Sequence, residues 1–229
     1  QKQILLLVKN IKINVTVHKS KKNLGIAKSI TRGLDIISKK YKKIIVLEDD
    51  CIPRKEFFRF FNKILSKKGI FNQIGAICSY QFPKIHEKNN NTIYPILMDY
   101  FIPWGWATTS INWINFRKIK KNKKKFYSKR DFPPLIKKLK LLVKNNTKNI
   151  WSLNFIIYNY LENKKFLFPN KSLIKNIGFD GTGVNSKITN SLDTFYTPSK
   201  KINTNSIIKK KKYKNEQEEN LLQYIRYFY

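Results

Sequence analysis

The stretch Tyr41–Pro53, YKKIIVLEDDCIP, constrains this chain more than any other. Ile44, Ile45, Val46 and Leu47 form an apolar run of strand length without polar alternation, the pattern of a strand covered on both faces. The run ends abruptly in Glu48, Asp49 and Asp50. In open α/β sheets ligands collect outside the carboxyl ends of the strands, so the three carboxylates are predicted at a binding rim. The chain carries only 14 acidic residues against 47 basic ones, and three of the 14 stand here side by side. Hard oxygen donors of this kind suit Mg²⁺ or Mn²⁺, with substrate phosphates completing the coordination shell. A solvated acidic turn after a strand is the alternative that the triplet alone leaves open.

At 229 residues and 41% hydrophobic, the chain can bury one real core. No apolar run approaches the roughly 18–20 residues of a membrane span. The start, QKQILLLVKN, has neither the cationic region nor the cleavage site of a signal peptide. It also lacks an initiator Met, which predicts a chain that begins inside a larger fold. Cys51 and Cys78 make no disulfide framework, and His18 and His86 have no zinc-ligand spacing, so a reduced, cytoplasmic setting is expected.

The formal charge of +33 invites a nucleic-acid reading. Yet 41 of the basic residues are Lys and only six are Arg, whereas base and phosphate recognition favours the planar Arg fork. No helix-turn-helix, RNP or zinc-finger signature is present, so no specific nucleic acid is expected. The runs Lys118–Lys125 and Lys209–Lys212 read as solvated faces or tails, or as contacts with an anionic membrane surface such as its inner face or with a polyanionic acceptor.

Along the chain, Ile11–Val17 alternates with Ile13, Val15 and Val17 on one face and is predicted as a strand. Ile26, Ile30, Leu34, Ile37 and Tyr41 step by four and three, which predicts a helix, with Asn23 as its cap. Strand, helix and the IIVL strand together predict a βαβ unit and a mixed, mostly parallel sheet flanked by helices. EFFRFFNKIL is helical by Phe57, Phe61, Ile64 and Leu65. Strands are predicted from Ile74 (IGAICSY), from Thr92 (TIYPILMDYFI) and over Lys165–Pro169, and PWGWATTSINWINF turns into a helix. Further helices are expected at Leu135–Leu142, at Ile150–Leu161 and at Glu216–Phe228.

Several motifs stand in a fixed order: NLGIAKSI, YKKIIVLEDDCIP, WGWAT and FPNKSLIKNIGFDGTGVN. In that order the chain resembles the GT-A nucleotide-sugar-dependent glycosyltransferases, and within them bacterial sugar transferases related to N-acetylglucosaminyltransferase I. The likeness runs from about Ile11 to Asn185. It implies one GT-A domain over residues 1–187, with a donor and metal half (1–102) and an acceptor half (103–187), followed by a basic tail (188–229) ending in a helix. It also implies a nucleotide-diphosphate sugar as donor, Mn²⁺ or Mg²⁺ as cofactor, and a glycan or lipid-linked hydroxyl as acceptor. By that likeness Asp50 is the direct metal ligand, Asp49 meets the ribose or a metal-bound water, and Glu48 faces the transferred sugar. Asn23, Gly25 and Lys28 match the segment beside the nucleotide, where helix amides favour anions. Trp106, in Trp104-Gly105-Trp106, matches the loop beneath the sugar, against which a core aromatic cluster is the alternative. Asn176, Gly178, Asp180, Gly181 and Thr182 match a loop that wraps phosphates.

Two departures from the family pattern stand out. Inverting relatives carry their general base, an Asp, shortly after a Trp in the helix before the FP strand. Here Trp151 is followed by Ser152, Leu153 and Asn154, so the base is assigned to Asp180, with Asp131 next. The first strand and DG turn that hold the nucleobase in the family have no counterpart. Rival readings are a basic polyanion-binding protein, another metal-phosphate enzyme such as a phosphatase or nuclease, and a transferase-like protein that binds donor without turnover.

Overall fold

Ile44–Val46 of the IIVL run lie in a strand, at the edge of the sheet among the described residues, whereas Leu47 falls outside it and is exposed, and the sheet differs from the expectation. The computed structural model describes residues 10, 12–83, 91–119, 136–137, 141, 151–181, 192, 194, 201–205, 207 and 219. Among these lie helices α1 (Ile26–Ile37), α2 (Phe57–Leu65), α3 (Ser110–Ile119) and α4 (Trp151–Leu161). The strands are β1 (Lys43–Val46), β2 (Cys51–Pro53), β3 (Ile74–Cys78), β4 (Thr92–Ile93), β5 (Pro95–Met98), β6 (Trp106–Thr109), β7 (Lys165–Pro169), β8 (Ile174–Asn176) and β9 (Lys201–Ile202). The protein is therefore mixed α/β.

The main sheet has the order β1-β6-β3-β7-β5. Of its four neighbouring pairs only β3–β7 is parallel, and β1–β6, β3–β6 and β5–β7 are antiparallel. The expected mostly parallel sheet is thus corrected to a mostly antiparallel one. The cause lies at Ile11–Val17: residues 14–17 adopt no strand, and Ile13 is 73% exposed. Among the described residues the expected βαβ crossover is therefore missing, and β1 pairs on one side only. Strand direction still serves the rim. Both β1 and β3 run opposite to β6, and β7 runs with β3, so β1, β3 and β7 end on the same side.

Helix α1 buries Thr31, Leu34 and Ser38 with Ala27 partly covered, leaving Ile26 and Ile37 exposed. Ile30 and Leu34 of the expected face do pack against the core, Ile30 partly buried, while the rest of that face gives way to Ala27 and Thr31. Helix α4 buries almost every position, as a helix enclosed on all sides must. Its Trp151 stacks on Trp106 at 5.6 Å, and Phe101 meets Trp106 edge-on at 4.9 Å. Central strand β3 is buried throughout. Gly75 within it admits no side chain, because a Cβ would overlap Asn159 Oδ1. The carbonyl of Gly75 accepts from Thr108 Oγ1 and Asn112 Nδ2, both at 2.8 Å, which binds β3 to β6 and α3.

The stretch from Thr92, expected as one strand, divides: β4 pairs with β9, and β5 closes the main sheet. The boundary at 102/103 separates no layers, since β6 lies between β1 and β3. Part of the expected tail packs on the body. Leu192 and Thr204 are buried, the Tyr80 hydroxyl donates to Leu192 O at 2.7 Å, Arg54 donates to Thr194 O at 2.9 Å, and Lys67 Nζ donates to Thr204 O. The helices expected at Leu135–Leu142 and Glu216–Phe228 lie outside the described residues, apart from helical positions at Ile136, Lys137, Leu141 and Glu219.

Candidate functional site

At the carboxyl end of β1 the chain turns sharply, with Cys51 N donating to Glu48 O at 3.1 Å. The turn delivers Cys51 into β2, which pairs antiparallel with β8 so that Cys51 stands opposite Asn176. The ladder extends one step as Ile177 N donates to Asp50 O at 2.9 Å. Two segments far apart in sequence, EDDC and NIGFDG, therefore form one ribbon over the end of the sheet.

Asp50 is half-buried between these segments. A Cβ on Gly178 would overlap its Oδ2 and lie 3.2 Å from its Cγ. Only glycine lets the backbone approach the carboxylate this closely. Gly178 is held there by its own amide, which donates to Asn176 Oδ1 at 2.7 Å. Glu48, Asp50 and Cys51 each offer a ligand atom, all within 4.8 Å of one another. Asp49 is exposed and stands outside that trio.

Electrostatics mark the cluster as unusual for this chain. Asp35 pairs with Arg117 at 2.9 Å and Asp99 with Lys165 at 2.8 Å. Among the described residues Glu48, Asp49 and Asp50 have no cation partner, although the chain has 47 basic side chains. Burial, then repulsion from Asp50 and Asp49, pushes the Glu48 carboxyl from its usual 4.5 up to about 8. Burial, then repulsion from Asp50 and Glu48, raises the Cys51 thiol far above its ordinary range, so it remains protonated, 3.4 Å from Asp50 Oδ1. These donors fit a divalent cation: hard oxygens converge without a protein cation among the described residues to neutralise them, and positive charge at their centre would offset the burial and repulsion that together protonate Glu48.

The other predicted residues divide. Asn176, expected in a phosphate-wrapping loop, ends β8 in the ribbon, Asp180 and Gly181 follow on its exposed continuation, and Thr182 lies outside the described residues. Trp104 is buried and packs edge-on against Tyr80 at 4.7 Å and Phe179 at 5.3 Å, which anchors the loop leading to Asp180. Trp106, expected beneath a sugar, is wholly buried between Phe101 and Trp151 and belongs to the core. The reason is strand alternation: Gly105, at φ +61, turns the chain so that Trp106 points inward from β6. Asn23 is not the helix cap; its Oδ1 accepts from Gly25 N at 2.8 Å, and Gly25 itself takes the N-cap position at φ +70. No hydrogen bond or ion pair joins Asn23, Gly25 or Lys28 to the acidic turn. Cysteine spacing overlooked Cys51. The signal that would have found it is the turn, which returns the fourth residue of EDDC to the side of the first.

Compared with known proteins, the chain matches no protein-family model and no curated sequence.

Proposed function

We propose that this protein is a metal-dependent glycosyltransferase of GT-A-like architecture. It would move a hexosyl or N-acetylhexosaminyl group from a nucleotide-diphosphate donor to a hydroxyl of a glycan or lipid-linked acceptor. One observation carries the reading: the β2–β8 pairing seats the glycine-containing NIGFDG segment against the Asp50 carboxylate of the EDD triplet. The motif order given above supports it independently.

Asp50, backed by Glu48, would hold Mn²⁺ or Mg²⁺. When bound, the cation neutralises the charge that builds on a departing nucleoside diphosphate. Exposed Asp49 accepts hydrogen bonds from a ribose hydroxyl or a coordinated water. Backbone N–H groups from Phe179 to Gly181 would line the phosphates, since a glycine-containing turn can present successive amides to an anion. Asp180 takes the acceptor hydroxyl proton, because Ser152, Leu153 and Asn154 supply no carboxylate after Trp151. Displacement from the face opposite the leaving group inverts the anomeric carbon.

Thermal-shift screening of UDP- and GDP-sugars with and without Mn²⁺ tests the reading, followed by nucleotide release on a panel of sugar acceptors. The expected result is a Mn²⁺-dependent rise in melting temperature with one donor class, abolished in Asp50→Ala. An Asp50→Ala variant with full donor turnover would refute it. The missing carboxylate after Trp151 favours one second reading, donor binding without transfer, which would give the thermal shift but no nucleotide release.

A further inference from the structure

The opposite end of β1 from the acidic turn carries a different surface. Helix α3 buries Asn112, Trp113 and Phe116 and turns Ile111, Ile114, Asn115 and Lys118 outward, the spacing of a single helix face. Ile111 is 71% exposed. The end of α1 adds exposed Ile37 and Tyr41, the latter 53% exposed with Lys40 Nζ 5.4 Å from its ring centre. Two links hold these pieces at one corner. Ser110 N donates to Lys42 O at 3.0 Å, and Asp35 of α1 accepts from Trp113 Nε1 at 2.8 Å and Arg117 at 2.9 Å of α3.

Charge identifies what the corner fits. Lys39, Lys40, Lys42, Lys43 and Lys118 are exposed around the apolar tips. The only acid on the two helices, Asp35, is already engaged by Arg117. We propose that this corner seats the protein on an anionic lipid bilayer. The isoleucine and tyrosine tips enter the headgroup boundary while the lysines remain among the phosphates. A single-stranded nucleic acid would use the lysines but has no use for branched aliphatic tips, since bases stack on aromatic or guanidinium planes. Orientation agrees: the four residues of β1 place the unpaired acidic turn roughly 13 Å further along the strand, away from the negative surface.

The test is co-sedimentation of the full chain with vesicles of phosphatidylcholine alone and of phosphatidylcholine mixed with phosphatidylglycerol. Polyuridylate binding is measured in parallel. Wild type is expected to bind only the mixed vesicles. Lys39→Ala/Lys40→Ala should weaken that binding about 30-fold, from roughly 1 kcal/mol per lysine at the surface. Ile111→Ser/Ile114→Ser should weaken it at least about tenfold, since each isoleucine tip loses its apolar burial, and should leave polyuridylate binding unchanged. All four positions are exposed, and an unchanged melting temperature confirms the fold. Vesicle binding indifferent to the isoleucine pair, or wild type that binds polyuridylate but not mixed vesicles, overturns the proposal.

Discussion

Replacing Gly178 by alanine isolates the contact on which the acidic site depends. The added Cβ would overlap Asp50 Oδ2 and sit 3.2 Å from both Asp50 Cγ and Asn176 Oδ1. Asn176 cannot yield freely, because its Oδ1 accepts from the amide of residue 178 itself. The Asp50 carboxylate must therefore swing away. A turn of about 30° off its rotamer costs about 0.5–1.5 kcal/mol, equivalent at this chain length to a melting-temperature loss of roughly 1–6 °C. Metal sites tolerate displacements of only about 0.2 Å in ligand distance, so Mn²⁺ affinity should fall about 10- to 100-fold. Isothermal titration with Mn²⁺ reads the affinity and calorimetry the stability. Gly75→Ala provides the control. Its Cβ would overlap Asn159 Oδ1 in the core, so it should cost about 1–3 kcal/mol of stability and leave Mn²⁺ affinity unchanged in the folded fraction. A folded Gly178→Ala protein that binds Mn²⁺ as wild type does would refute the role given to Asp50.

Glu48 sets a pH dependence. Its folded-state value of about 8 lies above the usual 4.5, so the folded protein binds the proton more tightly than the unfolded chain. Stability should therefore fall as pH rises from about 4.5 to 8, by an amount on the order of a few kcal/mol. In urea titrations Glu48→Gln should flatten this decline, and an unchanged slope would count against the buried carboxyl. Trp106→Ala should cost about 3–5 kcal/mol, and for a core residue the donor preference of whatever folded protein remains is unaltered. Tyr80→Phe leaves the carbonyl of Leu192 without its 2.7 Å donor and should cost about 1–3 kcal/mol in urea unfolding.

Local pattern reached the acidic rim because β1 is a short apolar run and its end is chemically abrupt. It reached α2, α4 and β7 for a similar reason: each contains enough apolar residues at one period to leave no alternative. It misread Ile11–Val17 because alternation at Ile13, Val15 and Val17 shows that a segment can be a strand, not that a partner lies beside it. The phase of α1 was misjudged by weighting isoleucines. Ile30 and Leu34 do point inward, but the other inward positions of the helix are Ala27 and Thr31, with the Thr31 hydroxyl satisfied by Ala27 O at 2.7 Å. Trp104 and Trp106 flank a glycine, and composition alone does not distinguish a sugar platform from a core wedge. The β2–β8 pairing was beyond local reading altogether, because its register joins Cys51 to Asn176.

That pairing also fixes when the acidic turn can take shape during biosynthesis. A nascent polypeptide that has emerged as far as Pro169 already possesses every strand of the main sheet, yet Asp50 still lacks the Ile177 amide and the Gly178 backbone that confine it. A cation at this turn would consequently be held only late in synthesis, and a translation product stopped before residue 174 would contain the sheet without the β2–β8 ribbon.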